Sequence, residues 1–323
     1  MNGRRRLQLS LACLAACGAA AVLCAADAPA KVELKLGKGD TFRYTVTTAS
    51  ATEGGDGQGA FRRSSTAEVL YAIKVEDKKD GGDLVLSVTY VSVKIKEEGG
   101  RGAFEFDSAK PGGGAETAEL EKIVKSAIKV IVADGKVKEV TGFPEAAQTA
   151  AGRGAKSGAA EKGPRRMPAS GGFFRGMNVA GAIALTRDLT YILSPPIQGV
   201  ALEEGKTYQA AAVERSAAEG KGRGGAGRMA GLNLAYTYVG LEGEAVKFAV
   251  LRKAPQSARG GLGAGMGPGA GLEARGDAFV TLKDGLLRKL ELKSASEEAS
   301  ERSGRAAPMK SSMTITVARA AAK

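Results

Sequence analysis

Apolar and polar residues alternate at a period of two along most of this chain. Phe42, Tyr44 and Val46 alternate with Arg43, Thr45 and Thr47, the pattern of a half-buried strand. Val69, Tyr71, Ile73 and Val75 repeat it against Glu68, Lys74 and Glu76. Between Leu84 and Lys96 the phase changes. Leu84, Leu86, Val88 and Tyr90 share one parity, and Val91, Val93 and Ile95 take the other. This predicts a bulge or bend that passes the strand across a curved sheet, with the second set of residues on the opposite face. Ile128, Val130 and Val132 lead into Asp134-Gly135, a strong hairpin signal because such turns need positive φ. Further strands are predicted at 234–239, 246–250, 278–282, 286–293 and 313–317. Lys and Glu at many outward positions discourage edge-to-edge aggregation.

Helical spacing is scarce. Glu116 to Ser126 places Leu120, Ile123 and Val124 on one side. Asn178 to Leu193 is the stronger candidate, with Ala182, Leu185, Leu189 and Ile192 at three- and four-residue intervals. Asn178 is placed to cap its start, and Ser194-Pro195-Pro196 to stop it. The simpler expectation is a packing helix over the open face or one end of the sheet; the sharper one is a mobile lid over a ligand. Glycine-rich basic stretches at 54–59, 99–114, 152–172, 220–231 and 259–276 carry little apolar content. They are expected to be mobile or disordered.

Two segments occur twice. Leu36-Gly37-Lys38-Gly39-Asp40-Thr41-Phe42 returns as Leu202-Glu203-Glu204-Gly205-Lys206-Thr207-Tyr208, and the Asp134-Gly135 hairpin returns at Asp284-Gly285. The expected architecture is therefore all-β and mainly antiparallel, with one or two accessory helices. Two similar units, about 31–145 and 196–319, form a curved sheet, half-barrel or sandwich. They are joined by a glycine-rich loop and helix at 146–195, within a single β-rich domain spanning 27–323.

The first 26 residues read as an export signal. Arg4, Arg5 and Arg6 precede an apolar stretch from Leu7 to Leu23, too short and interrupted for a membrane span. Two processing routes fit. Leu14-Ala15-Ala16-Cys17 has the form read by lipoprotein signal peptidase, which leaves Cys17 lipidated; ordinary cleavage after Ala26 leaves Asp27 first. The three cysteines, Cys13, Cys17 and Cys24, all lie in this segment, so the mature chain has neither disulfide nor thiol chemistry. Its core alone must hold it together, and chains of this size bury roughly three quarters of their unfolded surface. Lys and Arg number 47 against 35 Asp and Glu, an excess that favours acidic partners only weakly.

The residue inventory excludes several chemistries. With no histidine, His-based acid–base catalysis and Ser/His/Asp triads are absent. With no mature cysteine either, zinc, copper, haem and iron–sulfur sites lose their usual ligands. Gly265-Met266-Gly267-Pro268-Gly269-Ala270 lacks the strand and helix that a dinucleotide fingerprint requires. Ser126-Ala127-Ile128-Lys129 has the SxxK spacing of penicillin-recognising enzymes without their companion motifs, and it enters a strand. Asp77, Asp80 and Asp83 around Gly81-Gly82 suit a solvated hairpin turn better than a Ca²⁺ loop. Arg101-Gly102, Arg223-Gly224-Gly225 and Arg259-Gly260-Gly261 have the form of RNA-binding tails, but export and only 5% aromatics argue against nucleic acid. An anionic envelope polymer or lipid headgroup is a fairer partner for these basic loops, and a solubilising role is the simpler expectation. No catalytic, cofactor-binding or metal-ligating set is assigned.

The order of motifs from Leu36-x-x-Gly39-Asp40-Thr41-Phe42-x-Tyr44, through Gly135-Lys136-Val137-Lys138-Glu139-Val140-Thr141-Gly142, to Pro196 and Leu202–Tyr208 resembles a family of exported bacterial proteins and lipoproteins classed as a domain of unknown function. The resemblance covers Lys31 to Arg319. The chain departs from the family in having Tyr208 where Trp is common and in its enlarged Gly/Arg loops. The resemblance implies an envelope protein and supplies no catalytic residues. Three function classes are weighed: first a non-catalytic envelope protein binding a lipid or other apolar ligand on the concave sheet face, then a structural or interaction protein with no small ligand, and last an enzyme using carboxylates or Lys. Membrane contact is expected only through a lipid anchor.

Overall fold

The computed structural model describes residues 30–321 apart from 56–59, 100–101, 111, 113–114, 134, 145–180, 194, 210–232, 254–272 and 303–304. Cys17, Asn178 and most of the basic glycine-rich loops lie outside the described residues.

Twelve strands form one open, curved antiparallel sheet. The first half contributes β1 (Thr41–Gly54), β2 (Phe61–Lys78), β3 (Leu84–Gly99), β4 (Phe104–Asp107), β5 (Ile128–Ala133) and β6 (Lys136–Thr141). The second contributes β7 (Thr207–Gln209), β8 (Asn233–Glu242), β9 (Ala245–Lys253), β10 (Ala274–Thr281), β11 (Leu287–Arg302) and β12 (Arg305–Arg319). The strand order is β6-β5-β3-β2-β1-β12-β11-β10-β9-β8-β7, with β4 paired to β3. Each half is a meander, and the halves meet where β12 pairs with both β1 and β11. The stretch 99–114, expected to be wholly loop, instead contains β4, which pairs Phe106 with Ile95 and buries it.

The repeated motifs make repeated turns. Gly39 N–H donates to Val75 O and Val75 N–H to Asp40 O; Gly205 N–H donates to Tyr238 O and Tyr238 N–H to Lys206 O. Gly135 and Gly285 have φ of 70° and 71°, the left-handed conformation that their hairpins require.

One face of the sheet is apolar and the other polar. Phe42, Tyr44 and Val46, the alternate residues Val69 to Val75, and Val246, Phe248 and Val250 are all buried in one continuous core. Their neighbours in sequence carry exposed pairs such as Lys94–Glu68 and Lys247–Asp277. The phase change in β3 is a bulge. Leu70 pairs with Ser92 and Tyr71 with Tyr90, leaving Val91 unpaired and exposed. The extra residue restores parity, so Val93 and Ile95 stay on the same buried face as Tyr90 and do not cross to the other.

Two helices cover the apolar face. α1 (Ala115–Val124) buries Leu120 and Ile123 against β3, and its end is tied by Ser126 Oγ donating to Lys122 O. α2 (Ala182–Leu193) packs against β6, β11 and β12, and the short 3₁₀ turn Pro195–Ile197 that follows it packs against β7 and β8. One segment therefore touches both edge regions of the open sheet. The chain before β1 is a strap: Lys31 pairs with Ala201, Val32 with Gln198, and Lys35 N–H donates to Asp284 O.

Candidate functional site

The residues singled out for chemistry in the sequence are not brought together. Ser126 Oγ is engaged by Lys122 O, Ile128 is buried, and Lys129 projects to solvent from β5. Asp77 pairs with Lys38 at 3.5 Å on an exposed surface, while Asp80 and Asp83 sit in the β2–β3 turn closed by Lys79 N–H donating to Asp83 O. Among the described residues, no group of three acidic side chains is placed to hold a metal ion.

The apolar face also carries a few buried polar groups. α2 is buried along most of its length: Leu185, Leu189, Tyr191, Ile192 and Leu193 have no exposure. Helical spacing would place all of these inside only if the helix were enclosed on several sides, which the curvature of the sheet provides. At the middle of the helix, Tyr71 Oη donates to Asp188 Oδ2 at 2.8 Å, and Arg187 Nε donates to Asp188 Oδ1 at 2.9 Å. Tyr90 stacks beside Tyr71 with ring centroids 5.2 Å apart. Burial pushes the Asp188 carboxyl above the usual carboxylate range, opposed by the Arg187 charge and the two donors. Burial likewise pushes the Tyr71 and Tyr90 phenols up, and the Asp188 charge pushes them further. All three groups thus resist carrying charge at this place, and the hydroxyls stay donors.

The C-terminal end of α2 is pinned separately. Gln198 Nε2 donates both to Leu193 O at 2.9 Å and to Gly285 O at 2.8 Å, joining the helix end to the β10–β11 hairpin. In that hairpin, Asp284 receives donors from Thr281 Oγ1, Leu286 N–H and Arg319. Burial raises the Asp284 carboxyl, but these donors outweigh it and hold the group below its usual range.

Toward the long ends of β1, β2, β11 and β12 the apolar rows stop at a polar one. Glu97 pairs with Ser65, Ser65 with Ser50, Ser50 with Met313 and Met313 with Ser294. Arg275 pairs with Lys293, so the preceding residue Ala274 stands beside Ser294, and Ala274 in turn pairs with Arg252. Among the described residues five polar side chains are buried, and three of them, Glu97, Arg252 and Ser294, lie on this one row. Sequence reasoning missed it. The signal was present: Arg252 continues the parity of Val246, Phe248 and Val250, Ser294 that of Leu290 and Leu292, and Glu97 that of Val93 and Ile95.

No protein family matches this chain, and no curated protein matches it. Among solved structures the chain is similar to one described as lipid-protein interactions in lipovitellin, at 10% identity and a TM-score of 0.43 over 90% of its length. It spans about a quarter (26%) of that chain. A likeness at this score implies nothing about what this chain binds.

Proposed function

We propose that this is a non-catalytic, exported envelope protein that holds a lipid or other apolar ligand against its concave face, with α2 as the lid. The observation that carries the reading is architectural. Among the described residues, the apolar face of the open sheet is covered across its middle by one 12-residue helix and not by a second sheet. A side-chain hydrogen bond from Tyr71 to Asp188 ties that helix to β2, and Gln198 pins its C-terminal end. Such an arrangement suits a helix that swings about its C-terminal end to admit an acyl chain. The signal-like N-terminus, with Cys17 as a lipid-attachment residue or Ala26 as the cleavage point, supports an envelope location. The resemblance of the motif order to that of exported bacterial proteins supports it too.

A structural or interaction role is the second reading. It is favoured by the unexposed Leu185, Leu189, Ile192 and Leu193, which already fill the face.

Mass spectrometry of the protein from its native envelope, intact and after organic extraction, separates the two readings. A stoichiometric apolar molecule in the extract supports the carrier; a clean protein that also fails to take up a fluorescent apolar probe supports the structural role. The intact mass distinguishes a diacylglyceryl chain beginning at Cys17 from one beginning at Asp27. Tyr71→Phe removes the donor to Asp188, a contribution of about 1 kcal/mol. It is expected to speed probe uptake roughly fivefold if α2 is the lid, and to leave uptake unchanged if it is not.

A further inference from the structure

The strap before β1 is held differently from the sheet it lies against. Leu36 O accepts from Lys78 Nζ of β2 at 3.4 Å, and Lys35 N–H donates to Asp284 O in the β10–β11 hairpin. Val32 O and Ala30 O accept from Gly199 N–H and Leu202 N–H. Ala30–Leu36 thus runs along one end of the second meander, from β2 to the segment 198–202, which Tyr208 of β7 holds through Ala201 O. Val32 and Leu36 are buried in the core, helped by the partly buried Ala30 and Leu34, while Lys31 and Lys35 are exposed. The strap's ladder consists of two isolated bridges, Lys31–Ala201 and Val32–Gln198, whereas β1 is paired on both sides from Tyr44 to Gly54. Ordering a whole segment to bury so few side chains leaves little net gain, and segments held this way open at low cost. The turn that joins the strap to β1 is fixed independently. Gly39 N–H donates to Val75 O, Val75 N–H to Asp40 O, and Gly37 N–H to Asp40 Oδ2 at 2.7 Å. The strap can therefore leave without disturbing β1. It also meets the pivot of α2: Gln198, which ties the end of that helix to Gly285, is the bridge partner of Val32, and the Glu33 carbonyl lies against Gly285.

We propose that Ala30–Leu36 is a releasable door at this end of the apolar face. Hinged at Gly37–Gly39, it detaches from 198–202 and the β10–β11 hairpin as a unit. Detachment uncovers the core there and removes the backbone support of Gln198 at the pivot of α2. An apolar ligand enters along the rows through the uncovered end. Use of the door as a ligand entrance rests on the apolar-ligand reading above; its detachment does not.

Lys31 and Ala201 are both exposed, and the Ala30–Leu202 bond beside them makes them a non-hydrogen-bonded antiparallel pair, with Cα atoms about 4.5 Å apart and in disulfide range. A Lys31→Cys, Ala201→Cys chain starting at Asp27 carries no other cysteine, so oxidation locks the door and reduction frees it in one molecule. Hydrogen exchange read by mass spectrometry should show the amides of 30–36, 198–202 and 283–286 exchanging at least about tenfold more slowly when oxidised, within a disulfide's usual effect. Amides of the β1–β12 seam, which exchange only when the sheet opens, should slow less. Uptake of a fluorescent apolar probe should slow in step with the door amides. Equal slowing of door and seam amides, or no slowing of either, overturns the door. Door amides that respond while uptake does not overturn the entrance. A responding door in a chain that takes up no probe in either state upholds detachment and overturns the apolar-ligand reading. If the disulfide does not form, Val32→Asp carries the test from the other side. Door amides and uptake should then accelerate with the seam still protected, and loss of seam protection would show that the strap does not move separately.

Discussion

At Gly285 the backbone turns with φ of 71°, and a methyl group added there would stand 2.1 Å from the Glu33 carbonyl oxygen of the N-terminal strap. Gly243 also has positive φ, 62°, but a methyl group there would meet nothing within 4 Å. Both substitutions to alanine incur the left-handed penalty of about 1–2 kcal/mol. Only Gly285→Ala must also push the strap away, disturbing Lys35 N–H to Asp284 O and the Gln198 bond to Gly285 O. Urea denaturation should therefore show a loss of about 1–2 kcal/mol for Gly243→Ala and at least about twice that for Gly285→Ala. Equal losses would mean that the strap is not packed as described.

Asp188 gives a second prediction at this scale. Its carboxyl is raised by burial, so the folded chain holds the proton more tightly than the unfolded one. Between the ordinary carboxylate value and the raised one, the folded state binds more protons. The contribution of Asp188 is therefore most favourable at low pH and declines as pH rises through that window. Asp188→Asn cannot titrate. The wild-type stability minus that of the variant should fall as pH rises above the ordinary carboxylate range. A rise over the same range would mean that Arg187 and Tyr71 outweigh burial.

Among the elements, β3 shows how one residue sets a face. Val91 is 45% exposed and contributes little to the core, yet as the bulge it keeps Val93 and Ile95 in phase with Tyr90. Val91→Ala should change stability by less than about 0.5 kcal/mol. Deleting Val91 should leave Tyr71–Tyr90, Leu70–Ser92 and Val69–Val93 paired without a bulge, so that Val93 and Ile95 stay inward. The expected result is a folded chain that keeps its cooperative transition, seen by circular dichroism. Loss of that transition would mean that the sheet needs the bend the bulge supplies and not parity alone.

The same strand marks what can be read from sequence alone. The alternation and the Asp-Gly turn located β1, β2, β3 and β5, and the phase break located the bulge, but parity alone cannot say that a bulge restores the face it interrupts. The outer halves of β11 and β12, Ser294–Arg302 and Arg305–Ser312, carry no apolar alternation and fall outside the strands predicted at 286–293 and 313–317. They are strands because backbone pairing between them needs no buried side-chain face. The row of Glu97, Arg252 and Ser294 was hidden for a related reason. Its members lie on three strands far apart in sequence, and only the register of the intervening strands aligns them.

For the whole molecule, the decisive contact is between its two ends. β1 is the first described strand of the sheet and β12 the last, and their pairing from Tyr44–Arg319 to Gly54–Met309 is what joins the two meanders. Each half makes its own turns from its own copy of the repeated motif, but the core is continuous across the seam. Val317, Ile315 and Met313 on β12 are buried between the rows of β1 and β11. Contacts of such sequence separation form late and slow folding. Ending the chain after Arg302 would expose two strand edges and open the core along its middle, while leaving the turns at Gly39 and Gly205 intact. If the halves were independent domains, that truncation would leave two folded meanders. If the seam defines one domain, it should abolish the single thermal transition and produce aggregation through the bared edges of β1 and β11. Calorimetry with size-exclusion chromatography decides between them. We expect the second outcome, because the concave face, the buried helix and the polar row all draw residues from both sides of β12.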